Sequence, residues 1–190
     1  MDLQIALLLG QDGITNGAIY ALLSLALVLV FAVTRVIFIP QGEFVAFGAL
    51  TLASFQAGKT PGTLWLLIGA GVVVALIDLT LAVRAGTARR IPRIVGWNLL
   101  YPAAAAAVVF LLKPSEFPLL LQIVLALALV VPLGPMIYRL AFQPVAEASV
   151  LVLLIVSVAV HLALVGLGLL FFSAEGSRTP AFSEASFDLG

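Results

Sequence analysis

The chain has 190 residues, 63% hydrophobic and 9% charged, with a mean hydropathy of +1.25. An ordinary soluble domain carries ~25% charged residues, so these few charges cannot cover a water-facing surface, and the usual soluble enzymes are excluded. Lys+Arg and Asp+Glu balance at nine each, Cys is absent and His161 is the one histidine; bulk charge points to no nucleic-acid partner, and disulfides, thiolate metal sites and multi-histidine metal centres are ruled out.

The expected fold is all-α, a polytopic transmembrane helix bundle of about six spans, forming a single domain over 1–190. Spans are read between charges, because a charge at mid-bilayer is costly, about 3 kcal/mol on insertion scales. The uncharged intervals are 13–34, 44–58, 60–77, 94–112, 117–138 and 148–174; ~20 residues at ~1.5 Å each cross a ~30 Å hydrocarbon layer. The first span is expected to begin near Thr15, since the start holds Asp2 and Asp12 and lacks the basic segment of an export signal. The second interval is short. To cross, it must borrow 36–44 and tolerate Pro40 and Glu43; the alternative is a re-entrant or broken helix, allowed at membrane depth only where protein or water covers the backbone. The third continues past Asp78 through Leu79–Val83. The last is the longest and is expected to tilt, to kink near Gly166 and Gly168, or to project beyond the headgroups.

Arginines orient this scheme. Arg84, Arg89, Arg90 and Arg93 share one short loop, the strongest positive-inside signal in the chain. Alternation then puts Arg35 and Arg139 inside as well, and Lys59, Lys113 and Arg178 outside, with both termini on the outer side. A re-entrant second segment would move the N-terminus inside.

Small residues are frequent in the spans: Gly69-Ala70-Gly71, Ala103–Ala107, Ala159 with Ala163, and Gly166 with Gly168. They let helix backbones approach. Polar residues at depth are the candidates for a substrate path. His161 lies at the centre of the last uncharged run with Ser157 one turn before it on the same face. No acidic partner is evident in that helix, so a neutral imidazole bonded to Ser157 or to a neighbouring helix is weighed against a proton-linked role. Asp78 is expected to snorkel or to pair with a loop arginine. Gln41, Gly42 and Glu43 follow Pro40, where helix geometry breaks and backbone dipoles become available, as around transporter sites. The bland reading there is an interfacial turn with a solvated carboxylate. Asn16 and Tyr20, one turn apart, either line an entrance or anchor the interface.

Gly58-Lys59-Thr60 has the end of a phosphate-binding loop, but Ala53 stands where its first glycine belongs and Pro61 blocks the helix that must follow. No Ser/His/acid set or pair of catalytic carboxylates is present. The chain is therefore not expected to be an enzyme, no cofactor is implied, and energy for transport must come from a partner or a gradient.

Segment 13–44 resembles the opening of the permease subunits of branched-chain amino-acid ABC importers. The shared elements are Gly13, Gly17, Tyr20-Ala21-Leu22, Gly42-Glu43-Phe44 and Gly48-Ala49. Segment 138–182 is similar to a later signature of that family, with Tyr138-Arg139, a long apolar helix, and Gly176-Ser177-Arg178-Thr179-Pro180. The chain departs from the family at Phe38-Ile39-Pro40-Gln41, where an Asn-Phe-Ala-His run is usual, and its basic-Pro element is reduced to Leu140-Ala141-Phe142-Gln143-Pro144. The middle, 60–135, has no counterpart.

The resemblance implies an inner-membrane permease subunit of bacteria. Its partners would be a second permease subunit, cytoplasmic ATPase subunits and a periplasmic amino-acid-binding protein. It further implies that the chain corresponds to the N-terminal part of a longer family domain, as a fragment, a truncated product or half of a split permease. Such a piece is expected not to couple to ATP hydrolysis alone. Two other functions are weighed beside it: a gradient-driven carrier or channel using His161 and Asp78, and a membrane subunit that only scaffolds partners. No internal repeat relates 1–95 to 96–190, which a carrier of the inverted-repeat type would show.

Overall fold

The computed structural model describes residues 3–172. Six helices follow one another: α1 (Leu3–Thr34), α2 (Gln41–Gln56), α3 (Gly62–Arg84), α4 (Ile91–Leu111), α5 (Leu119–Val145) and α6 (Val150–Phe172). All but α2 are long and apolar enough to cross a membrane. Large apolar side chains face outward, Ile14 77%, Val33 85% and Leu120 75% exposed, whereas Thr51, Thr63, Asn98, Gln122 and Ser157 are buried. A water-soluble fold reverses that arrangement. The chain is an all-α membrane protein.

The first helix begins at Leu3, well before Thr15. A lone Asp12 ends an apolar run but not a helix. With no proline between Leu3 and Thr34, nothing removes a donor from the N–H to carbonyl ladder beyond its first turn. At 32 residues, or ~48 Å, α1 is longer than a hydrocarbon layer. Its chief contact is α2.

Segment 36–56 runs parallel to α6. Val36 clusters with Leu153, Ile39 meets Ser157, Glu43 meets His161, and Phe47 packs on Gly168 and stacks with Phe172 at 5.9 Å. The 16 residues of α2 reach only ~24 Å. The irregular stretch 35–40 leads into it beside the first two turns of α6, so segment and helix together match the full length of α6. This resolves the short second interval physically: residues before Gln41 contribute length as non-helical backbone, covered by α5 and α6.

The remaining helices alternate in direction. At one end Lys59 and Lys113 line a common cavity with Phe55 and Val109; at the other, Arg90, Arg93 and Arg139 line two cavities that share Asp78. Helix α3 is central, touching α2, α4, α5 and α6. Its Leu64, Leu67 and Val74 share one buried core with Leu129, Leu133 and Met136 of α5. A buried hydroxyl pair, Thr51 and Thr63 at 2.5 Å, joins α2 to α3.

Prolines shape α4 and α5. Each contains a π-helical turn, Gly96–Leu100 and Tyr138–Phe142, ending two residues before Pro102 and Pro144. A proline cannot donate to the carbonyl four residues earlier, and the ladder slips to a wider spacing. Pro132 interrupts α5 in the same way and deprives the Ala128 carbonyl of its helical donor; the Tyr101 hydroxyl of α4 donates to it instead, at 2.6 Å. Helix α6 is continuous through Gly166 and Gly168. Neither glycine removes a backbone N–H, so the hydrogen-bond ladder is not interrupted there.

Candidate functional site: the broken helix beside His161

The site is built at the junction of α1 and α2. Helix α1 stops at Thr34, whose hydroxyl donates to the Val30 carbonyl and accepts from Val36 N–H. Arg35 takes a left-handed backbone, φ 57°, and turns the chain. Pro40 disfavours a helical Ile39, so the stretch before it stays irregular and its polar groups need partners from elsewhere. Ile39 N–H supplies the decisive one, donating to Ser157 Oγ of α6 at 2.9 Å and sharing that proton with the Ile37 carbonyl at 3.0 Å.

One turn along both segments, Glu43 Oε1 lies 2.8 Å from His161 Nδ1. The two side chains are 15% and 34% exposed, respectively. The contact has the distance of an ion pair, but the ring N–H is not aligned on the oxygen, and Nδ1 has no well-formed hydrogen bond. Glu43 is also in the first turn of α2, where the helix dipole favours a carboxylate. Gln41 Nε2 donates to the Leu23 carbonyl of α1, tying the first helix to the junction. Gln41 Oε1 and Glu43 Oε2 are buried without a partner. Three buried polar atoms with unmet capacity thus sit on two adjacent turns, against the rule that such groups are satisfied. An apolar cavity of about 220 Å³ lies beside the irregular stretch before α2, lined by Val36, Phe38, Tyr138 and Phe142 and by none of these three polar residues.

Of the sequence candidates, the structure brings together Gln41, Gly42, Glu43, Ser157 and His161. Gly42 presents open space where a side chain would be. Asn16 and Tyr20 are not brought to the site; both are exposed on α1, Tyr20 at 69%. His161 has an acidic neighbour supplied by α2 and not by its own helix, and Ser157 accepts from Ile39 N–H. Of the two readings of Glu43, the largely buried side chain agrees with the one at a helix break and not with a solvated carboxylate.

A second ionic pair lies toward the arginine-bearing end. Arg139 Nε donates to Asp78 Oδ1 at 2.7 Å, and Nη2 lies 2.5 Å from the same oxygen. Asp78 therefore pairs with an arginine in the π turn of α5, not with one from the 84–93 loop. Arg84, Arg89, Arg90 and Arg93 have no carboxylate partner among the described residues. Arg178 and the Gly176–Pro180 signature lie outside the described residues. No group of three metal-ligating side chains occurs among those described. Compared with protein-family models, curated proteins and solved structures, the chain finds no match.

Proposed function

We propose that the protein is a permease subunit of a bacterial inner-membrane ABC importer for branched-chain or related amino acids. The observation that carries this reading is the convergence of Gln41, Glu43 and His161 on a break between helices, with unpartnered acceptors on the first two. An amino-acid ammonium group offers three N–H donors, suiting Gln41 Oε1 and Glu43 Oε2. The neighbouring apolar cavity suits an aliphatic side chain, and broken helices with exposed dipoles are the usual way to hold a zwitterion at membrane depth. The resemblance of 13–44 and 138–182 to that permease family supports the same substrate class. The partners in this reading are a second permease subunit, cytoplasmic ATPases and a periplasmic amino-acid-binding protein.

Tagged chain isolated from its native membrane is expected to co-purify with an ATPase subunit, and the reconstituted assembly to take up radiolabelled leucine only with ATP. Glu43→Gln lowers that uptake at least about ten-fold, the loss expected when a charge-assisted contact to substrate is removed. One observation favours a second reading: Glu43 and His161 form a titratable pair between helices, the kind of element a proton-linked carrier uses. Uptake driven by a pH gradient without ATP, and lost in His161→Gln, would replace the importer reading with that one.

A further inference from the structure

We infer that the arginine-bearing end of the bundle contains a binding site for an anionic phospholipid headgroup, formed by Arg90, Arg93 and Arg139 around Asp78. This does not depend on the transport reading. Two cavities, of about 440 and 250 Å³, flank the Asp78–Arg139 pair and share both residues as lining. Arg90 and Thr87 line the larger, Arg93 and Asn98 the smaller. Asp78 neutralises one guanidinium, leaving an excess of positive charge with several N–H donors at the walls, and guanidinium forks match phosphate oxygens.

The surroundings suit an amphiphile. Asp78 lies six residues before the end of α3, ~9 Å along the helix, where headgroup meets acyl chain in a span of this length. Leu81 and Ile94 belong to the cavity lining, and Trp97, 54% exposed, stacks on Tyr101 at 5.5 Å. An exposed tryptophan at such a level marks the membrane interface. Basic pockets between helix ends are a known physical solution for anionic headgroups, whose acyl chains then follow the apolar helix faces. A free phosphate ion would use the same donors but gain nothing from those faces.

Trp97 gives a direct test, because the chain has two tryptophans and the other, Trp65, begins α3 at the opposite end. The full chain carrying Trp65→Phe is reconstituted in phosphatidylcholine vesicles containing brominated phosphatidylglycerol or brominated phosphatidylcholine. Brominated phosphatidylglycerol should quench Trp97 with roughly thirty-fold higher relative affinity, the scale expected for two interfacial arginines. Arg90→Gln with Arg93→Gln should bring that ratio close to one with unchanged helix content by circular dichroism, since both side chains are exposed. Lys59→Gln with Lys113→Gln should leave it intact. Equal quenching by the two lipids, or a preference that survives the arginine substitutions, would overturn the site; abolition of the preference by millimolar inorganic phosphate would overturn the lipid as its ligand.

Discussion

Replacing one member of the Glu43–His161 pair leaves the other without its close neighbour between the helices. Because the pair is partly exposed and the ring N–H is misaligned, the coupling is modest, about 1 kcal/mol, well below that of a fully buried pair. Glu43→Gln and His161→Gln should each lower stability in detergent, and the double variant should lose less than the sum; additive losses in a double-mutant cycle would mean that the 2.8 Å contact is energetically idle. At this scale the sequence revealed residue types but not pairings. Ser157, His161 and the Gln41–Glu43 turn stand out as polar groups in apolar surroundings. Which of them meet depends on how 36–56 lies against α6, and more than a hundred residues separate Ile39 from Ser157 along the chain. Asp78 and Arg139 illustrate the same limit: a loop arginine is nearer in sequence, but the antiparallel return of α5 brings Arg139 closer in space.

Helix contacts turn on single small residues and single prolines. A Cβ on Gly71 would lie 2.3 Å from the Asn98 carbonyl oxygen and 3.2 Å from Pro102 Cγ, whereas one on Gly69 meets nothing within 4 Å. The Asn98 oxygen is backbone and cannot swing aside, so Gly71→Ala should cost about 1–3 kcal/mol by separating α3 from α4. Gly69→Ala should fall within about 0.5 kcal/mol of neutral. Thermal unfolding of both variants checks the contrast; equal losses would refute the close approach at Gly71. Tyr101 and Pro132 offer a second test. Tyr101→Phe leaves the Ala128 carbonyl without a donor, at a cost of about 1 kcal/mol for an interhelical bond in a membrane protein. Pro132→Ala restores a helical N–H to that carbonyl, and in its background the loss of the Tyr101 hydroxyl should be nearly free. The sequence makes the prolines and the glycines visible, and with them the places where the helices can depart from ideal form. It does not tell the contacting Gly71 from the open Gly69, since both belong to the same small-residue run. Nor does it show that Ala159 and Ala163 remain exposed while Gly168 is the α6 residue that admits Phe47.

Among the described residues, basic charge is sorted between two ends. Lys59 and Lys113 share one, and Arg90, Arg93 and Arg139 share the other. Arg35, next to the Val36–Phe142–Leu153 cluster, belongs with the arginines. The helices between these ends carry large exposed apolar side chains around a largely apolar core, so the bilayer lies between the two ends. Basic residues near span ends favour the cytoplasmic side, which predicts the 84–93 loop inside the cell and the Lys59 turn outside. The chain has no cysteine, so one introduced thiol reports one position. Arg89→Cys should resist a membrane-impermeant maleimide in intact cells and react after permeabilisation, while Lys59→Cys should react in both. The reverse pattern would invert the bundle and place the arginine-lined cavities on the outer leaflet. Labelling of both positions in intact cells would be worse for the scheme, because α3, which connects them, would then not cross the membrane at all.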